Sequence, residues 1–375
     1  MIIKNVYAYT KKHEFCKKDI IIHNERITED TLPFEQNEVI DGTGLFAIPG
    51  LVDIHFHGAV GHDFCDADED GLQAIADFEA QNGVLAICPA TMSYPETILN
   101  KIIDVAVNHK NKQGADLVGI HLEGPFINPD VAGAQNPKYL INPDFEMFKR
   151  IVEKSKGLIK IISIAPELDG ALEFIKSYNN IVNISIAHTA ADYETAKKAF
   201  ALGAKHITHL YNAMPDINHR APGPIVAAWE DGAEAELITD GVHIHPSVVK
   251  LTFHIFGAEH IILISDSMMA CGLVDGTYQL GGQQVMVQGR KAVLADNKKT
   301  IAGSVTCLFE CMRKAVLDMG IPLEHAVRAA SENPAKAIGI NNDYGSLEPG
   351  HYGNVLLIDK DINIFHIIQK GKLIK

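Results

Sequence analysis

Eight short apolar runs, rich in β-branched residues, recur between residues 51 and 267 with amphipathic stretches between them. They are LVDIHFHG (51–58), VLAICPAT (84–91), LVGIHLEG (117–124), IKIISIAPE (159–167), IVNISIAHT (181–189), HITHLYNA (206–213), AELITDG (235–241) and IILISDS (261–267). Strands this continuously apolar are buried on both faces, as in a parallel sheet covered by helices. The stretches DGLQAIADFEAQNG, ETILNKIIDVAVNHK and DYETAKKAFALG are expected among those helices, and two of the three close on glycine, a common C-cap. Eight strand–helix units over roughly 290 residues predict an α/β fold, a (β/α)8 TIM-type barrel, across residues 51–344. A doubly wound open sheet is the runner-up. No Gly-x-Gly-x-x-Gly turn follows the first run, which argues against it.

The two ends of the chain read differently. IIKNVYAYT, DIIIHN, EVIDGTG and LFAIPG, within residues 1–50, look like short strands, as does GNVLLIDKDINIFHIIQKGKLIK at the other end. They predict a small β-sandwich domain formed by both termini, residues 1–50 plus 345–375. Charge narrows the partners. With 33 Lys+Arg against 47 Asp+Glu, the net −14 disfavours nucleic acid and anionic membrane surfaces. No run of 18 apolar residues predicts a membrane span, and the N-terminal residues lack the layout of a signal peptide. Six scattered cysteines without a Cys-x-x-Cys pair suit reduced thiols, so a cytoplasmic location is expected.

Each apolar run ends in polar or ionisable residues: His55 and His57, Thr91, Glu123, Glu167, His188, His209, Asp240 and Asp266. In a parallel barrel these ends share one face, and catalytic groups come from that face. His55 and His57, two apart on a strand, project to one side and can chelate a divalent ion, although a hydrogen-bonded strand end is the plainer alternative. Glu123, His188 and His209, from three strand ends, match the nitrogen and oxygen ligand set of a catalytic metal site. Asp266 suits a proton acceptor beside an activated water, a metal ligand, or a helix N-cap.

The runs PGLVDIHFHG (49–58), HLEGPFINP (121–129), GAQNP (133–137), THLYNAMP (208–215), DGVHIHP (240–246) and ISDSMMACG (264–272) make the chain resemble the amidohydrolase superfamily. Within it, the chain resembles the deacetylase family that acts on N-acetylglucosamine 6-phosphate. The resemblance covers nearly the whole chain. It implies Glu123, His188 and His209 as principal metal ligands, with His55, His57 and Asp266 completing a second site that Glu123 bridges. It also implies Asp266 as catalytic acid/base, His243 as the group polarising the substrate carbonyl, and Ala134, Asn212, Ala213 and Arg220 as substrate contacts. One or two divalent ions (zinc, iron, manganese or cobalt), an N-acetylated amino-sugar phosphate substrate and a homodimer are expected on the same ground. So is a place in amino-sugar catabolism and cell-wall sugar recycling. Gln135 departs from the histidine common in the family, which is expected to alter a sugar-hydroxyl contact. Other readings stay open: a deacetylase of another N-acetylamino sugar or N-acyl amino acid, and a non-catalytic barrel that binds sugar phosphate.

Overall fold

The computed structural model describes residues 1–30 and 38–375. All eight apolar runs form strands: β1 (Leu51–Asp53), β2 (Val84–Ile87, resuming at Ala90–Thr91), β3 (Ile120–Glu123), β4 (Ile159–Ile164), β5 (Asn183–Ile186), β6 (His206–Ile207), β7 (Glu234–Ile238) and β8 (Ile261–Ile264). Neighbours pair in parallel from β1 through to β8. Beyond the last regular pair the ring closes. The Asp266 N–H donates to the His55 carbonyl at 2.9 Å, and the His57 N–H to the Ser267 carbonyl at 2.7 Å. This is the barrel the runs predict.

A helix follows each strand: α1 (Glu69–Gln81), α2 (Glu96–Asn108), α3 (Phe145–Lys154), α4 (Ala171–Tyr178), α5 (Tyr193–Ala201), α6 (Gly223–Asp231), α7 (Pro246–Phe256) and α8 (Leu308–Leu317). Aspartates start three of them. Asp68, Asp144 and Asp192 each accept a first-turn backbone N–H, satisfying a donor that the helix itself leaves free. Alternate strand residues separate two layers. Ile162, Ile164, Ile184, Ile186, Leu237 and Leu263 belong to the main core between strands and helices. Val52, Ala86, Ile161, Ile238 and Ile262 form a second cluster with Ala335 and Ile338 from the end of the chain's last helical segment.

Strands from both chain ends combine in one eight-stranded sheet. Ile2–Tyr9 pairs with Phe15–His23, Val39–Asp41 and Phe46–Pro49. Phe46–Pro49 then pairs with Val355–Ile358 from the other end. Among the described residues, no helix is long and apolar enough to cross a membrane. A further element has no counterpart in the sequence reading. Between β8 and α8 the chain forms a three-stranded antiparallel sheet, Gly276–Leu280, Gln283–Gln288 and Lys291–Leu294. Its buried side, Leu280, Val285, Val287, Ala292 and Leu294, packs with Met92 and Met268 beside the strand ends. There Gln283 Nε2 donates to the Ala134 carbonyl at 2.5 Å.

Candidate metal and active site

The strand ends converge on a cavity of about 430 Å³. Glu123 closes β3, and His188 and His209 lie just past β5 and β6. Their ligand atoms meet: Glu123 Oε1 is 3.1 Å from His188 Nε2 and 3.1 Å from His209 Nε2, and the two Nε2 atoms are 3.1 Å apart. Beside them, His57 Nε2 lies 3.4 Å from Glu123 Oε2 and 3.4 Å from Asp266 Oδ1. His55 Nε2 lies 3.6 Å from Glu123 Oε1 and 3.8 Å from Asp266 Oδ1. The chain thus assembles Glu123–His188–His209 and His55–His57–Asp266 as two donor groups, with Glu123 between them.

These groups fit divalent cations. Ligands about 2.0–2.1 Å from a tetrahedral ion stand ~3.3 Å from one another, close to the spacing here. Two imidazole Nε2 atoms facing each other at 3.1 Å suit a shared cation better than a bond between them. Among the described residues, buried His55 Nε2 has no hydrogen-bond partner. The remaining nitrogen of His188 also fits, because Nδ1 donates to the Val131 carbonyl at 3.0 Å and leaves the Nε2 lone pair facing Glu123.

The backbone is strained where the candidate ligands sit. His188 (φ 43°), His209 (φ 29°) and Asp266 (φ 47°) all occupy the left-handed region, which non-glycine residues rarely adopt. Strain of this kind concentrates at functional sites, where the surroundings enforce it. Electrostatics follow from the crowding. Burial pushes the Glu123 carboxyl up, but the neighbouring imidazoles of His188, His209 and His55 outweigh it and hold the pKa well below the usual range. Burial likewise opposes the charge on His243, and Asp240 overcomes it and raises the pKa. His243 Nδ1 lies 2.8 Å from Asp240 Oδ2, while two backbone N–H groups hold Asp240 Oδ1. This orients the ring and leaves Nε2 as its cavity-facing nitrogen.

The other expected residues divide. Ala134, Asn212, Ala213 and His243 line the cavity. Asn212 Nδ2 donates to the His209 and Leu210 carbonyls, and Ala213 adopts φ 53°, so the loop is tightly wound against the candidate ligands. Arg220 is not brought there. A turn closes between Asn218 and Ala221, which places Arg220 exposed at its tip, outside the cavity lining. Lys299, on the loop after the three-stranded sheet, is the one Lys or Arg among the described residues that line the cavity. The sequence reading missed it because it missed that sheet. Gln135 contacts the ligand group itself: its Nε2 donates to Glu123 Oε2 at 2.6 Å, and its Oε1 accepts the Ser93 N–H at 2.7 Å. Also missed was Glu236, a carboxylate in mid-strand on β7 that hydrogen-bonds His55 at 2.8 Å.

A model of the amidohydrolase family matches residues 46–374, and the chain belongs to that family of hydrolases, whose members are generally metal-dependent. Among individual proteins, the chain is 37% identical over 333 residues to an N-acetylglucosamine-6-phosphate deacetylase of Bacillus subtilis, spanning 87% of this chain and 84% of that protein. An N-acetylgalactosamine-6-phosphate deacetylase of Escherichia coli is 31% identical over 329 residues, spanning 87% of this chain and 86% of that protein. A solved structure of a Mycobacterium smegmatis N-acetyl-D-glucosamine-6-phosphate deacetylase mutant in complex with N-acetyl-D-glucosamine-6-phosphate superposes with a TM-score of 0.92 at 30% identity, covering 100% of this chain and 98% of that one.

Proposed function

We propose that the chain hydrolyses the acetamide of N-acetylglucosamine 6-phosphate to acetate and glucosamine 6-phosphate, as a cytoplasmic homodimer. The observation that carries the chemistry is the meeting of Glu123, His188 and His209 at 3.1 Å, with Asp266 and His243 on the same cavity. Glu123, His188 and His209 would hold one divalent ion (zinc, iron, manganese or cobalt) and His55, His57 and Asp266 a second, and bound there they would supply Lewis acidity and make water more acidic.

The chain's own residues do the rest. Asp266 orients the attacking water and accepts its proton. It then delivers that proton to the amide nitrogen as the C–N bond breaks, because an amide nitrogen leaves poorly unprotonated. His243, fixed by Asp240, directs Nε2 at the acyl oxygen and stabilises its developing charge. Ala134 contacts the sugar, and Asn212, Ala213 and Lys299 receive the phosphate, a dianion that suits charge-assisted donors. Arg220 joins them only where a homodimer carries its loop tip to the partner's cavity. The six free cysteines accord with a reducing compartment.

The Escherichia coli relative names the C4 epimer as a second candidate substrate. Acetate release from both 6-phosphates, from unphosphorylated N-acetylglucosamine and from an N-acetyl amino acid tests the reading. The 6-phosphate of N-acetylglucosamine is expected to give the highest kcat/KM. Equal rates with and without the phosphate would remove phosphate recognition from the account.

A further inference from the structure

Glu236 stands in the middle of β7 with no exposed surface, yet both of its oxygens are occupied. Oε2 accepts from His55 Nδ1 at 2.8 Å and from the His209 backbone N–H at 3.1 Å. Oε1 faces His206 Nε2 at 3.0 Å. His55 and His209 belong to different donor groups of the metal pair. One carboxylate oxygen therefore touches both halves.

The geometry points to Glu236 as the positioning residue that ties the two halves together. It fixes the His55 tautomer with Nδ1–H inward, so that the free lone pair is on Nε2. That atom faces Glu123 Oε1 at 3.6 Å and Asp266 Oδ1 at 3.8 Å. It also anchors the backbone of His209, whose φ of 29° a loop end would not hold unaided. A carboxylate behind a ligating imidazole fixes its orientation and raises its basicity. Glu236 is not itself a ligand of a third ion, although His55, His121 and Glu236 lie close together. His121 Nδ1 and Nε2 already face the Ile54 carbonyl and Ser163 Oγ, and both Glu236 oxygens are taken.

The inference rests on the metal-pair reading, and the test separates the two. Glu236→Gln keeps the side chain's shape. Its amide oxygen can still accept from His55 and His209, and its amide N–H can donate to His206 Nε2. Zinc alone is titrated into stripped wild type, Glu236→Gln, His57→Ala and the double variant, and thermal unfolding is recorded for each stripped protein. The wild type is expected to bind two equivalents. Glu236→Gln is expected to lose roughly 10–100-fold in affinity for one equivalent, as outer carboxylates behind metal-bound histidines do. The other equivalent should change by only a few fold, with stripped-state unfolding near wild type. In the His57→Ala background, Glu236→Gln should leave the remaining equivalent nearly untouched. Unchanged affinity for both equivalents overturns the assignment, and so does equal weakening of both alongside a lowered unfolding temperature. A wild type that binds fewer than two equivalents at saturating zinc overturns the metal pair, and this role with it.

Discussion

Glu79 and Glu236 are both fully buried glutamates, one on α1 and one on β7, and they sit in opposite surroundings. Among the described residues, Glu79 has no hydrogen-bond partner on either oxygen, and burial, with the nearby Asp53 charge, holds its pKa well above the ordinary value. Burial pushes Glu236 up as well. The imidazoles of His55 and His206 beside it reverse that and hold it well below. An ionised carboxylate cannot remain buried unless donors replace its lost water. The surroundings of Glu79 therefore favour its protonated form, and those of Glu236 the charged form. The pair teaches that burial of an acid does not mark function. A surrounding set of donors does, because it lets the charge persist where the chemistry needs it.

If that distinction holds, changes inside the donor network should cost turnover, and a change at Glu79 should not. The largest effect is expected at Asp266. Asp266→Asn should lower kcat by about 10²–10⁴-fold, the usual contribution of a positioned acid/base, with elemental analysis showing metal retained. His243→Asn should lower kcat by about 10²-fold in the same acetate assay, as loss of one oxyanion donor commonly does. Lys299→Ala should raise KM for the 6-phosphate about tenfold, the scale of one charge-assisted hydrogen bond, while leaving the unphosphorylated sugar unaffected. An equal change on both sugars would separate Lys299 from the phosphate.

Glu79→Leu should act in the opposite sense. Removing an unpaired buried polar group should raise the unfolding free energy by about 1–3 kcal/mol near neutral pH and leave kcat unchanged. Its pH signature is also defined. The folded-state pKa of Glu79 lies above the ordinary value of 4.5, so the native protein holds a proton that the unfolded chain releases. Wild-type stability from this group is greatest below that value and falls as pH rises towards the folded pKa. Denaturant titrations at pH 5 and pH 8 should show that fall in the wild type and its loss in Glu79→Leu. A less stable variant at pH 8 would break the comparison.

The barrel was legible because strands buried on both faces become continuous apolar runs, and LVGIHLEG or IVNISIAHT cannot be mistaken for half-exposed strands. The candidate ligand set was legible because Glu123, His188, His209 and Asp266 sit where those runs stop. Glu236 was not, since attention to strand ends passes over an acid inside AELITDG. Only the side-chain alternation of β7, which turns that position towards His55 and His206, exposes its role. The three-stranded sheet left a fainter signal. Val285 and Val287 alternate with exposed neighbours, and Gly281–Gly282 and Gly289–Arg290 bracket that strand as turns. Without it, Lys299 could not be placed at the cavity. The left-handed backbone at His188, His209 and Asp266 leaves no mark in the sequence, because none of the three is a residue that favours that conformation as glycine does.

The central claim is that these donors make a metal-dependent deacetylase. The most direct measurement is acetate release from N-acetylglucosamine 6-phosphate by protein stripped with a chelator and then titrated with a divalent ion. Stripped protein should show no turnover, with full recovery as the ion is restored. Undiminished turnover after stripping would contradict it, as would metal-loaded protein that binds the sugar phosphate but releases no acetate.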